Sequence, residues 1–176
     1  MKRSASVAIA LAAIATLAGC STGEPTYAQV RHETIAALTT IVDLIPDPRD
    51  VDTGEEQDPY GCSDALLVSQ GTGWFYTGHW TAEVPPTFDV AAFIDALPTT
   101  LGDGWKQEDL GIDVNFAAVD LVQESTGVSI AVEDHSVDAR RVIDVLAISR
   151  CGILSDHDRS PTPIASKSPS PARYKH

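Results

Sequence analysis

A chain of 176 residues that carries 25 acidic and 12 basic side chains has a formal net charge of −13 at pH 7. All of the acids lie between Glu24 and Asp158, whereas of the bases only Arg31, Arg49, Lys106, Arg140, Arg141 and Arg150 do. A body this anionic is repelled by phosphate, which argues against nucleic acid as a partner and against flat adhesion to anionic lipid.

The first twenty residues carry an address. Lys2 and Arg3 open the chain, Val7 to Leu17 is an almost unbroken apolar run, and Ala18-Gly19 supplies small residues for cleavage. That is the plan of a secretory signal. The run Leu17-Ala18-Gly19-Cys20 resembles the lipobox of bacterial lipoproteins. The resemblance implies that the Cys20 thiol takes a diacylglyceryl group, that residues 1–19 are removed as a signal peptide, and that the new amine is acylated, commonly with palmitate. Two or more acyl chains hold a protein stably, at about 0.8 kcal/mol per buried CH₂. The expected location is therefore the extracytoplasmic face of the cell membrane. No second apolar run of about twenty residues follows, so lipid alone would be the attachment. Many Ala, Asp and Arg with few Lys point to a high-GC genome such as an actinobacterium's.

Residues 20–26 read as a short polar tether, and residues 27–154 as a single domain. From Tyr27 to Ile45, Tyr27, Val30, Thr34, Leu38, Ile41 and Ile45 recur at three- and four-residue steps, which predicts an amphipathic helix. Pro25 marks its start, and Pro46 with Pro48 stop it. Residues 47–59 form an acidic loop without periodicity. Ala65 to Ser69 reads as a short strand and Gly71-Thr72-Gly73 as a turn. Trp74 to Val84 alternates: Trp74, Tyr76, Trp80, Ala82 and Val84 face one way, Thr77, His79, Thr81 and Glu83 the other. A second helix is expected from Phe88 to Leu97, capped by Thr87 or Asp89, with Pro98 ending or kinking it.

The remainder reads as strands over 105–110, 116–124, 128–133 and 142–149, with a hairpin turn at Ser125-Thr126-Gly127. A helix over 137–146 competes for the last of these. Helix, strands, helix, then strands implies an α+β fold, with an antiparallel sheet of about five or six strands and two helices packed on one face. From Ser155 to His176 the chain is rich in Ser and Pro with no apolar face, which predicts a disordered tail.

With Cys20 claimed by lipid, Cys62 and Cys151 remain. Outside the cytoplasmic membrane an isolated pair reads as a disulfide, and closing so long a loop stabilises a fold by roughly 4–5 kcal/mol. The five histidines form neither HExxH nor HxH, so no metal and no cofactor is expected. His79 and the run Glu133-Asp134-His135 meet only if their strands are neighbours. Asp47, Asp50, Asp52, Glu55, Glu56 and Asp58 crowd a loop around Gly54, but the order of ligands departs from an EF-hand. There is no GxSxG elbow and no phosphate-binding loop, and a carboxylate pair such as Glu83 with Glu108 is uninformative in so acidic a chain. No catalytic residue is assigned. Trp74, Tyr76 and Trp80 share one face of a strand, which makes them a candidate ligand platform or the core beneath a helix.

The lipobox, the strand-helix-strand order and two cysteines flanking a β-rich body together resemble the small cell-envelope lipoproteins of actinobacteria, such as the mycobacterial LppA-like group. That resemblance implies a non-catalytic surface protein. The expected function is a lipid-anchored, extracytoplasmic binding or interaction module whose partner is an envelope protein or a small ligand. The alternatives are an envelope hydrolase, metal- or carboxylate-assisted, using groups near His79 and His135, and a small-ligand carrier with an open cavity beside Trp74 and Trp80.

Overall fold

A computed structural model describes residues 23–63, 73–109, 111–112 and 114–154. The signal region with Cys20, the expected strand 65–69, the first two residues of the turn at 71–73, His157, His176 and the tail 155–176 lie outside the described residues.

The first helix, α1 (Tyr27–Asp43), begins where Thr26 accepts the Gln29 N–H on its hydroxyl at 3.1 Å. Such a cap is worth about 1 kcal/mol. Val30, Ala37, Leu38 and Ile41 are buried along one stripe. The helix stops two residues short of the predicted Ile45, which stays fully buried beyond the end and gives its carbonyl to Arg49 Nη1.

Among the described residues eight strands follow: β1 (Asp50–Asp52), β2 (Tyr60–Gly61), β3 (Trp74–Phe75), β4 (Thr77–Val84), β5 (Trp105–Glu108), β6 (Ala118–Gln123), β7 (Val128–Asp134) and β8 (Arg141–Ile148). Six form an antiparallel sheet in the order β1-β4-β8-β7-β6-β5, and β2 pairs with β3. The predicted strand from Trp74 to Val84 is thus two, interrupted at Tyr76. The acidic loop holds an unforeseen edge strand, because Val51 turns its side chain inward beside Ala82 while Asp50 and Asp52 stay outside. The last strand is β8, and the competing helix does not form.

The second helix, α2 (Val90–Leu101), is capped by the Asp89 carboxylate, which accepts the Ala92 N–H at 3.0 Å. It runs through Pro98, whose missing N–H removes one bond, because Leu101 beyond the break still packs against the core that Leu97 enters before it. Both helices cover the same face. Leu38, Ile41, Ile94 and Leu97 share one core with Ala82, Val119, Leu121, Ile130, Val132, Ile143 and Val145. The fold is α+β, a six-stranded antiparallel sheet with two helices on one side.

The base of the domain is stitched by backbone. Trp74 and Gly152 exchange N–H···O bonds of 2.8 Å each way, and Ile153 bonds to Tyr27 and to Pro25, again at 2.8 Å. A Cβ on Gly152 would lie 2.8 Å from the Thr26 carbonyl oxygen, so only glycine lets these chains close. Cys62 and Cys151, 89 residues apart in sequence, are disulfide-bonded there with Cα atoms 6.2 Å apart.

Candidate functional site

Among the described residues the helices cover one face of the sheet and leave the other open. Strand alternation puts Thr77, His79, Thr81 and Glu83 of β4 on it, and Val142, Asp144, Leu146 and Ile148 of β8. From β7 come Ser129, Ala131 and Glu133; from β6, Ala118, Asp120 and Val122; from β5, Lys106 and Glu108. The register sets Asp144 directly between Thr81 and Glu133, and Asp120 beside Glu108.

Asp144 is the centre of this face. It is only 7% exposed, yet its carboxylate meets His79 Nε2 at 2.7 Å and lies 3.9 Å from His135 Nδ1. Where the carboxylate is ionised it only accepts, and His79 Nε2 is then the donor. His135 Nε2 lies 3.1 Å from Glu133 Oε2, which fixes the second ring. The two histidines named from the sequence therefore converge, together with Glu133, on an aspartate that sequence reasoning passed over. Asp134 does not join them. It accepts the Ser136 N–H and faces a recess lined by Asp89 and Arg141 on the helix side. The one available signal for Asp144 was an acid standing alone in the apolar run 142–148.

Next to this cluster lies a shallow depression of about 230 Å³. Val122, Ala131, Leu146 and Ile148 give it apolar walls, with Glu108, Asp120 and Ser129 among the polar groups around them. Burial, then Glu133 and Glu108, push the Asp120 carboxyl above its ordinary value. Like charges directly opposite across strands are unfavourable. The chain tolerates two such pairs on this face, Glu108 with Asp120 and Glu133 with Asp144.

The aromatic trio is divided among three settings. Tyr76 is buried with Tyr27, Val30 and Leu154, under the Arg31 guanidinium 5.6 Å from its ring. Trp80 packs against the main core from the helix side, and Trp74 stands at the surface of the base. Tyr76 and Trp80 do line a groove of about 190 Å³ with Arg31, Glu56, Thr77 and His79. Trp74 is not part of it. The groove is strapped by Arg31, which makes a two-pronged ion pair with Glu56 (Nη2–Oε2 2.7 Å). The bond to Arg31 holds the Glu56 carboxyl below its ordinary value, and burial pushes the Tyr76 hydroxyl up.

The remaining carboxylates are dispersed. Glu83 pairs with Arg140 at 2.7 Å and sits four strand spacings from Glu108, about 19 Å, too far for a glycosidase pair. In the acidic loop Asp47 meets Arg49, Asp52 accepts the Gly54 N–H and Glu56 meets Arg31. Among the described residues no three His, Cys, Asp or Glu side chains are arranged to hold a metal ion, and no helix is long and apolar enough to cross a membrane. The chain matches no family model, no curated protein and no solved structure.

Proposed function

We propose that the chain is a lipid-anchored binding lipoprotein of the extracytoplasmic face of the cell membrane, non-catalytic, whose working surface is the open face of the sheet. The lipobox ending in Cys20 supports the anchor. The observation that carries the binding role is the pairing of an apolar depression with a ladder of carboxylates, Glu108, Asp120, Glu133 and Asp144, across four adjacent strands. Charge complementarity selects the partner: an envelope protein presenting Lys or Arg around an aliphatic contact. The buried Asp144 and its two imidazoles hold the middle of the face rigid, so little ordering is left for the moment of binding.

The test places a photo-cross-linking residue in living cells at Leu146, on the open face, and at Asp95, on the exposed side of α2. One discrete adduct from position 146, weakened by Asp120→Asn with Glu133→Gln and absent from position 95, is the expected result. Equal adducts from both positions, or none from 146, would overturn it. Cys20→Ala separately tests the anchor: the protein should leave the membrane fraction or keep its signal.

A second reading, small-ligand carriage, has the groove beside Tyr76 and Trp80 behind it. It predicts that Arg31→Ala, which unfastens the strap, changes the affinity of any co-purifying metabolite while leaving the cross-link from position 146 intact.

A further inference from the structure

We propose that two copies of the chain join edge to edge through β5, as antiparallel strands related by a two-fold axis that passes between their Gln107 residues. This surface is separate from the partner face proposed above and does not depend on it.

The first support is a free edge. Among the described residues β5 and β1 are the two outermost strands of the sheet. The Glu124 N–H donates to the Gly104 carbonyl at 3.1 Å, and this pair continues the β5–β6 register. Along an antiparallel strand, residues bonded to one neighbour alternate with residues that point away from it. Lys106 and Glu108 therefore turn their backbone groups toward β6, and Trp105 and Gln107 turn theirs outward. The Trp105 N–H donates to the Gly102 carbonyl in the turn before it. The Trp105 carbonyl and both backbone groups of Gln107 have no backbone partner among the described residues. Two such edges fit together when Gln107 faces Gln107 of the second copy, each N–H donating to the other's carbonyl.

The second support is what this register does with charge. It sets Lys106 opposite Glu108 of the second copy, twice by symmetry, in the closer kind of cross-strand pair, with Cα atoms about 4.5 Å apart. Both side chains are exposed, and both stand on the open face. Arg31, Arg49, Arg140 and Arg150 each meet a carboxylate within the domain, whereas Lys106 meets none among the described residues. Glu108 lies directly opposite Asp120, and the second copy brings a cation to that like-charge pair.

The third support is the contrast with the other edge. β1 presents Asp50 and Asp52 with Val51 turned inward, so a second copy arriving there meets its own charge. One edge complements itself and the other repels itself, which closes the assembly at two copies instead of a growing sheet. The axis is perpendicular to the sheet, so both open faces look the same way and form one surface. Two short strands make a small contact, and the dimer is therefore read by trapping it.

The experiment adds single cysteines to the full chain in living cells. Paired Gln107 Cα atoms stand about 5.5 Å apart, inside the range that a disulfide spans. Gln107→Cys is expected to give a dimer of the chain on a non-reducing gel, and Asp50→Cys on the β1 edge is not. Lys106→Glu added to Gln107→Cys should cut that dimer severalfold, and Lys106→Glu together with Glu108→Lys should restore it. If Gln107→Cys fails to accumulate, cells making the Lys106→Cys and Glu108→Cys chains together decide the question. A link between those two, absent when either is made alone, is then the expected result. No link at either register, equal links from positions 107 and 50, or a dimer indifferent to the charge changes would overturn the pairing. A disulfide from Gln107→Cys to a different protein would overturn it as well, and would give the edge to that protein.

Discussion

The two faces of the sheet are built from the same strands and do opposite things. On the covered face Ala82, Ile143, Val145, Ile130 and Leu121 are each no more than 1% exposed and packed against two helices. One residue along each strand, the open face mixes aliphatic side chains with carboxylates that face each other across strands, which no stability argument requires. The period of two thus lets one strand serve folding with one set of side chains and leave the other set for recognition, the role proposed for the open face. Part of what the open face loses in electrostatic repulsion is offset where His79 and His135 close over Asp144 and where Arg140 meets Glu83.

The largest expected effect belongs to neither face and sets the scale for both. The disulfide at the base closes a loop of 89 residues, and its reduction should lower the free energy of unfolding by about 4–5 kcal/mol in the chain-entropy view. Urea melts with and without reductant measure this, and coincident curves would count against it. Next comes the contrast within β8. Ile143→Ala on the covered face should cost about 2–5 kcal/mol, because it opens a cavity in a filled core. Leu146→Ala on the open face should cost less than about 1 kcal/mol, since that side chain is already half-solvated. Comparable losses at the two positions would mean that something covers the open face as well.

The same asymmetry governed how much could be read from sequence. The alternation of Thr77, His79, Thr81 and Glu83 against Ala82 and Val84 identified β4 and its inner side, because that strand has one wet face. β8 alternates weakly for a physical reason: it is central, and Val142, Ile143, Asp144 and Val145 are all buried, the outer ones beneath neighbouring side chains. Asp144 was hidden for that same reason, since a carboxylate among aliphatics shows no period. β1 was invisible because Asp-Val-Asp is a poor strand sequence, and only pairing with Glu83, Ala82 and Thr81 makes it one. For α2 the sequence left open whether Pro98 ends or kinks the helix; it continues to Leu101, whose packing against the core offsets one missing hydrogen bond. The histidines could be named as a pair but not placed, because their approach depends on β4, β8 and β7 being neighbours, which is topology rather than pattern.

The cluster at the centre of the open face should show an intermediate effect. Asp144→Ala removes the acceptor that His79 Nε2 reaches at 2.7 Å and should cost about 1–3 kcal/mol, more than Leu146→Ala despite lying on the same face. A double-mutant cycle with His79→Ala separates the pair's own coupling from the loss of each side chain. Near-zero coupling would reduce the contact to an exposed pairing in which solvent competes on equal terms.

The smallest effect has the opposite sign and probes the ladder itself. Burial and the neighbouring acids raise the Asp120 carboxyl above its ordinary value, so between that ordinary value and the raised one the folded chain binds more protons than the unfolded chain. Stability from this group therefore falls as pH rises through that window and stays low above it. Asp120→Asn removes the penalty and should stabilise the protein at pH 7 by only about 0.3 kcal/mol, because solvent screens the repulsion. Below the ordinary carboxylate range, at about pH 3, both chains should melt alike. A gain of the same size at both pH values would assign the effect to packing instead of charge. If the open face meets a basic partner, this variant separates the two roles most cleanly: the substitution that makes the isolated domain slightly more stable makes its complex weaker.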